Sequence, residues 1–338
     1  MMIQSKLKLA AALLVSLIGL CAFNGANAAS EINATSSDDS WLMIQKAAFA
    51  ARELNYKGTF LYQNGNQSSS VQITHMNNSG REFTRNVILN VEKPREVFSE
   101  GSDIVIFHPQ KNKIVIEKRR GQNLFPATLP VNLDSLKTSY KLRLIGFDNI
   151  AGRNAQVVEL VPNDAYRYNY KVWLDTEYGL LLKMALLNDK NQTLEQVIFQ
   201  ELNMLNTQDL NWFQPKIDLS KSYVMEDVAL LNRVSTNWIV AELPPGYVKV
   251  DHIERASKGK KGLVNQMIFS DGLASVSLFI EPLIKSVRPK TGHMIVGSTN
   301  ICAHVIDGYQ ITVVGEVPAV TVQQIAKAVS FKKQTASH

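Results

Sequence analysis

Cysteine is almost missing: the 338 residues hold two, and Cys21 lies within the first apolar stretch. Once that stretch is removed Cys302 stands alone, so no intramolecular disulfide can staple the fold and burial must hold it. Histidine is sparse too. His75, His108, His252, His293, His304 and His338 are scattered, without a partner at metal-ligand or triad spacing, which argues against a zinc site and against histidine-based catalysis. Cys302 and His304 would share one strand face, but two ligands do not make a metal site. There is no GxSxG, Walker loop, GxGxxG opening a helix, zincin or kinase signature. Nothing in the pattern asks for a metal or a cofactor, and the expectation is a protein that is not an enzyme. A dense basic stripe interleaved with aromatics is also lacking, which argues against nucleic acid as a partner.

What is present begins with a leader. Lys6 and Lys8 precede an apolar run, Leu9 to Phe23, followed by Ala26-Asn27-Ala28. That is the positive, apolar and small-residue order of a secretory signal peptide over residues 1–28, cleaved after Ala28. The run is shorter than the ~20 residues that cross a bilayer. A soluble, exported protein is expected. Charge is uneven beyond the leader: Ser30 to Pro215 holds 20 basic and 20 acidic residues, whereas Lys216 to the end holds 14 basic and 10 acidic. The second half therefore favours an acidic partner or an anionic headgroup.

Alternation dominates the first half. Leu42, Ile44, Ala47, Ala48, Ala51 and Leu54 follow Asp38, Asp39 and Ser40 at helical spacing, and from Tyr56 the period becomes two. Strands are expected at 56–63, 69–76, 82–89, 95–98, 103–107 and 113–118, with a loop at Phe125–Leu129, a short helix at Leu133–Tyr140, and strands at 141–147 and 155–161. A three-strand meander follows from Tyr166 to Leu202, turning at Thr176-Glu177-Tyr178-Gly179 and Asn188-Asp189-Lys190-Asn191. Tyr168, Tyr170, Val172 and Leu174 share one face of its first strand, and Asn169, Lys171, Trp173 and Asp175 the other. So many consecutive short strands make an antiparallel sheet, and a long twisted sheet curls on itself around apolar filling.

The expected class is α+β: an N-terminal unclosed antiparallel β-barrel wrapped around helices over 38–205, a linker over 206–233 where the strand rhythm breaks, and a smaller C-terminal α+β domain over 234–333. In that second domain strands are expected near 237–242, 247–255, 263–269, 275–280, 300–306 and 310–316. Asp271-Gly272 and Asp307-Gly308 mark hairpins, and Thr321 caps a last helix whose stripe is Val322, Ile325, Ala326 and Val329. Two basic clusters stand out. Lys118-Arg119-Arg120 ends a strand; Arg255, Lys258, Lys260 and Lys261, with Arg288 and Lys290 in another loop, are candidates for binding a partner, against the plainer reading of a solvated surface.

Several motifs stand in order along the chain. They are Tyr56-x-Gly58-Thr59-Phe60, Pro94-Arg95-Glu96-Val97, Phe125-Pro126-Ala127, Ala151-Gly152-Arg153 and Asp164-x-x-Arg167-Tyr168-x-Tyr170-x-x-Trp173-Leu174-Asp175. Leu243-Pro244-Pro245-Gly246-Tyr247, Phe269-Ser270-Asp271-Gly272-Leu273-Ala274, Phe279-Ile280-Glu281-Pro282 and Val314-Gly315-Glu316-Val317-Pro318 follow. Together they resemble the RseB/MucB family, the periplasmic regulators of the sigma-E envelope stress response. Asn90 to Lys93 departs from it, lacking a glycine before Pro94. The resemblance implies a first domain similar to the LolA and LolB lipoprotein carriers, whose concave face holds acyl chains. Candidate lining residues are Phe60, Tyr62, Phe83, Phe107, Trp173 and Phe199, each also readable as ordinary core. It further implies a negative regulator that binds the periplasmic segment of a membrane-spanning anti-sigma factor, protects it from proteolysis and releases it on sensing lipid or lipopolysaccharide. The alternative is a periplasmic lipid or lipoprotein carrier. A homo-oligomer is compatible with either.

Overall fold

The structure, a computed structural model, describes residues 37–89, 94–120, 123–227, 237–256, 263–284 and 288–332. The leader, Asn90 to Lys93, and Lys258, Lys260 and Lys261 lie outside the described residues. Helix α1 (Ser37–Glu53) comes first. It precedes β1 (Tyr56–Asn64), β2 (Gln67–Asn78), β3 (Arg81–Ile88), β4 (Arg95–Glu100), β5 (Asp103–His108) and β6 (Lys113–Lys118). After α2 (Asp134–Ser139) come β7 (Tyr140–Ile150), β8 (Arg153–Pro162), β9 (Asn169–Asp175), β10 (Leu181–Leu187), β11 (Thr193–Met204) and β12 (Val224–Asp227). These strands form one sheet in the order β12-β6-β5-β4-β3-β2-β1-β11-β10-β9-β8-β7. Pairing of β1 with β11 joins the two runs of hairpins, and the two end strands, β12 and β7, are not paired to each other, so the sheet is unclosed.

Alternation decides which side chains meet α1. Tyr170, Val172 and Leu174 point one way from β9 and join Ile44, Ala47, Ala48, Leu136, Leu160 and Leu181 in one core. Three alanines, Ala47, Ala48 and Ala51, are fully buried on α1 and let the helix axis approach the sheet closely. This sets the helix phase: Trp41 is buried and Leu42 is 60 % exposed, the reverse of the expected stripe at that turn. Residues 123–133 then cross the concave side as a strap. Phe125 packs its ring 5.1 Å from Phe60 and 5.0 Å from Phe199, and Arg52 of α1 donates to the Ala127 carbonyl at 2.9 Å.

The segment after β11, expected to carry no strand, runs back over the other side of the sheet. There Phe213 meets Phe83 at 5.8 Å, Trp212 lies under the Arg85 guanidinium at 4.5 Å, and Tyr223 meets Phe107 at 5.9 Å. Those contacts hold the chain beside β6, where β12 adds in parallel, against the antiparallel rule of the rest of the sheet.

The second lobe holds β13 (Trp238–Val240), β14 (Val248–Ala256), β15 (Leu263–Ser270), β16 (Ser275–Pro282), β17 (Gly292–Val296), β18 (Thr299–Ile306), β19 (Tyr309–Gly315), α3 (Ala319–Lys327) and β20 (Val329–Phe331). Six of them form an antiparallel sheet, β14-β15-β16-β19-β18-β17, while β13 pairs with β20. Val322, Ile325 and Ala326 of α3 press on Val276, Leu278, Ile280, Ile311 and Val313, alternate residues of β16 and β19. The Asp307-Gly308 hairpin turns as expected, with φ of 47° and 80°. Strand β17 was not expected, and Thr321 is not a cap. Pro318 holds the N-cap position of α3, and the Thr321 hydroxyl instead donates to the Tyr166 carbonyl at 2.8 Å.

That bond is one of several joining the lobes. Arg167, whose side chain is fully buried, donates through Nε to Asp271 Oδ2 and through Nη1 to Asp164 Oδ2, each at 2.5 Å, and through Nη2 to the Pro245 carbonyl. Its guanidinium lies 4.8 Å from the Tyr247 ring and 5.9 Å from Tyr140. Asp271 Oδ1 accepts from the amides of Leu273 and Ala274, fixing the turn that presents Oδ2 to Arg167. Gly246, at φ 78°, is required there: a Cβ would lie 2.7 Å from Ser139 Oγ and 2.8 Å from Arg167 Nη2. Burial works against the Arg167 charge, but Asp271 and Asp164 outweigh it and the guanidinium pKa rises. Every donor group of this cation has an acceptor or a ring, the condition under which a buried charge is tolerated.

Candidate functional site

Between the strap, the concave face and the edge of the second lobe lies a cleft of about 870 Å3. Its apolar walls arise from the parity of the strands. Phe60, Val71, Ile88 and Val97 point inward from β1 to β4, Met184, Leu186 and Val197 from β10 and β11, and Leu124 and Phe125 come from the strap. Leu273 and Glu316 of the second lobe complete the lining, so an occupant touches both lobes.

Charge is segregated within the cleft. Arg95 of β4, His108 of β5 and Lys111 line one side; Tyr62 of β1, Glu195 of β11 and Glu316 line the other. Four strand spacings separate Arg95 on β4 from Glu195 on β11, roughly 19 Å along the sheet at ~4.8 Å each. His108 is held below the usual imidazole range by burial and by Lys111 and Arg95. On the acidic side Ser298 Oγ donates to Glu195 Oε2 at 2.9 Å, and Asn64 Nδ2 reaches Ser298 Oγ at 3.0 Å. Burial, and then the Glu195 charge, push Glu316 up to about 7. The same conditions raise the Tyr62 hydroxyl, burial first, with Glu195 and Glu316 contributing.

Of the aromatic candidates, the structure brings Phe60, Tyr62 and Phe199 to the concave side: Phe60 and Tyr62 line the cleft, and Phe199 lies beneath Phe60 at 6.0 Å. Phe83, Phe107 and Trp173 stand on the outer face. Phe83 and Phe107 are covered by the returning segment, while Trp173 donates to Asp148 at 2.8 Å and lies under Lys183 and Lys171. The strap, Met184, Arg95 and Lys111 were not singled out as lining. Arg95 and Phe125 sit inside the quoted motifs, which was the available signal.

The basic candidates separate as well. Lys118 pairs with Asp103 at 2.6 Å, Arg119 Nη2 donates to Ser99 at 3.3 Å, and Arg120 bridges to Asp251 of the second lobe at 2.8 Å. Arg255 lies on β14. Arg288 and Lys290 line a second groove of about 850 Å3 on the face of the small sheet opposite α3, together with Phe279, Met294, Ile301 and Val314. Among the described residues no group of three or more His, Cys, Asp or Glu is placed to hold a metal ion, and no helix is long and apolar enough to cross a membrane. Cys302 is half-buried, and burial raises its thiol pKa.

Comparison with known proteins agrees with the motifs. The MucB/RseB N-terminal domain model matches residues 39–217 and the MucB/RseB C-terminal domain model residues 232–330. The sigma factor AlgU regulatory protein MucB of Pseudomonas aeruginosa is 29 % identical over 304 residues, 88 % of this chain and 93 % of that protein. The sigma-E factor regulatory protein RseB of Escherichia coli K12 is 26 % identical over 302 residues, with 88 % and 93 % covered. A crystal structure of MucB in complex with MucA(peri) superposes with a TM-score of 0.69 at 27 % identity, over 88 % of this chain and 100 % of that one. With both family domains matched in order and a solved relative sharing the two-lobed architecture, the chain belongs to the MucB/RseB family, whose named members are regulatory binding proteins and not enzymes.

Proposed function

We propose that this protein is an exported, periplasmic regulator of a sigma-E type envelope stress response, with a leader over residues 1–28 and two domains separated within 206–233. It binds the periplasmic segment of a membrane-spanning anti-sigma factor, protects that segment from proteolysis, and releases it when a lipid or lipopolysaccharide occupies the first domain. The observation that carries the reading is the cleft. Its middle is walled by apolar side chains, one side is cationic through Arg95 and Lys111 and the other acidic through Glu195 and Glu316, and both lobes line it; the apolar wall beside the cations suits an acyl chain with an anionic headgroup. A lipid there acts on the partner only through differential affinity, favouring a state of the molecule that holds the segment less well. Phe60, Tyr62 and Phe199 belong to this reading as wall and support; Arg255, Arg288 and Lys290 belong to the surface for the partner.

The test is a titration of the purified exported segment of the anti-sigma factor into the mature protein, with and without lipopolysaccharide. Wild type binds the segment, and the lipid weakens binding. Met184→Trp fills the cleft: segment binding stays, and the lipid effect falls by about tenfold or more, the size of a blocked apolar pocket. Lipid displacement that persists unchanged in this variant would overturn the assignment of the cleft.

A further inference from the structure

The small sheet has an edge that no strand covers among the described residues. There strand β17 pairs with β18 alone, and Met294, Ile295 and Val296 are 55 %, 61 % and 58 % exposed. Exposed edges are ordinarily blunted by charge, proline or a bulge, because unpaired amides and carbonyls recruit another strand. Here the five residues Gly-His-Met-Ile-Val contain none of these. The two-residue turn Gly297-Ser298 closes the hairpin at the Val296–Thr299 pair, with Gly297 at φ 60°. Ladder bonds therefore join Val296–Thr299 and Met294–Ile301, and antiparallel alternation turns the N–H and C=O of His293 and Ile295 to the free side. The hairpin is also fixed in place. Its turn abuts Asn64 of the first lobe, and His293 Nε2 lies 2.7 Å from Asn300 Oδ1.

Beside this edge runs the second groove. Met294, Ile301 and Val314 sit on adjacent strands at one register and form an apolar floor. Arg288 and Lys290 stand on its rim. The rim is anchored, since the Lys290 amide donates to Gln310 Oε1 at 2.9 Å and Gln310 Nε2 donates back to the Lys290 carbonyl at 2.8 Å.

We propose that β17 is a docking edge: an extended segment of the partner, apolar in its middle and acidic where it reaches Arg288 and Lys290, adds to the small sheet as a seventh strand. This rests on the partner-binding reading above and names its surface. Main-chain bonds to His293 and Ile295 supply affinity, and alternate side chains entering the groove supply selection. Charge favours such a segment over a second copy of this chain. In a two-fold pairing of β17 with itself, the stretch brought beside the cations is Gly292 to Asn300, which carries no carboxylate.

The experiment is hydrogen exchange and titration with the purified exported segment of the anti-sigma factor. On binding, the amides of His293 and Ile295 become protected. Ile295→Pro removes one outward donor without touching the β18 ladder, and weakens binding about tenfold, the effect of a lost hydrogen bond with a displaced strand. Ile295→Lys, a guard residue, serves if the proline variant does not fold. Arg288→Glu with Lys290→Glu also weakens binding about tenfold or more. Binding of wild type with neither protection nor sensitivity to these variants overturns the docking edge and leaves the regulator intact. No binding by wild type overturns both. Protection that grows with protein concentration in the absence of the segment makes the occupant a second copy, and overturns the proposal as well.

Discussion

The two sheets treat their open faces differently. In the large sheet the concave side is closed by its own chain, with α1 over β7, β9 and β10 and the strap laying Phe125 on Phe60 and Phe199; what remains is a cleft with ordered walls. In the small sheet α3 covers one face, and among the described residues the other face keeps a groove and β17 keeps a free edge. A cavity built by folding back a strap selects by volume and charge, and suits a flexible amphiphile. A bare edge selects by main-chain pairing and suits a polypeptide. On the proposed function the difference would divide the labour between the lobes, which the Arg167 joint connects together with Arg120–Asp251 and Ser298–Glu195.

Cutting that joint is the strongest way to break the comparison. Arg167→Ala leaves Asp271 buried without its cation, and costs about 3–5 kcal/mol. Calorimetry should then show the single unfolding transition separating into two, one for each lobe; a single transition at the wild-type temperature would mean that the joint does not couple them. Opening the strap comes next. Phe125→Ala removes one ring from an aromatic trio and leaves a gap at the cleft wall, for about 2–3 kcal/mol. Chemical denaturation measures it, and the small sheet should be unaffected.

The smallest effect sharpens the contrast at the cleft's acidic side. Glu316 is shifted up, from 4.5 to about 7, by burial and then Glu195; the other ionisable groups whose shifts couple them to it are the Tyr62 and Tyr170 hydroxyls. The folded protein therefore binds this proton more tightly than the unfolded chain does. Its stabilising contribution is complete below pH ~4.5 and is lost as pH rises to about 7. Glu316→Gln should flatten the dependence over that window and be ~1–2 kcal/mol more stable than wild type at pH 8. Equal slopes for the two proteins in urea melts across pH 5 to 8 would remove Glu316 as the source.

Much of the fold was legible because the period of two is a local property. The expected strands from Tyr56 to Leu202 all form, as do the Asp307-Gly308 hairpin and the last helix. Face assignment was harder. Phe60 and Phe83 are equally aromatic on equally alternating strands, yet β1 sends Phe60 to the cleft and β3 sends Phe83 outward. Only the register of β1 with β2, and of β2 with β3, decides this. Strand β12 was missed because Val224–Asp227 has no alternation of its own and forms only where Tyr223 docks on Phe107. The aromatic cluster, in turn, gave no sign that Phe98 and Phe107 would be covered by a segment more than a hundred residues away.

By itself the sequence determined that this is a β-rich chain with a single cysteine beyond its first apolar stretch, turning at its Gly, Asn and Asp positions, because those properties depend on composition and on neighbours along the chain. Tertiary structure alone decided that Arg167, Asp271, Gly246 and Thr321 form one joint, that Arg95 and Glu195 face each other across a cleft, and that β17, paired with β18 on one side, ends the small sheet. Each of these needs groups far apart in sequence to be brought within a few ångströms, and only the closed set of strand registers specifies which ones meet.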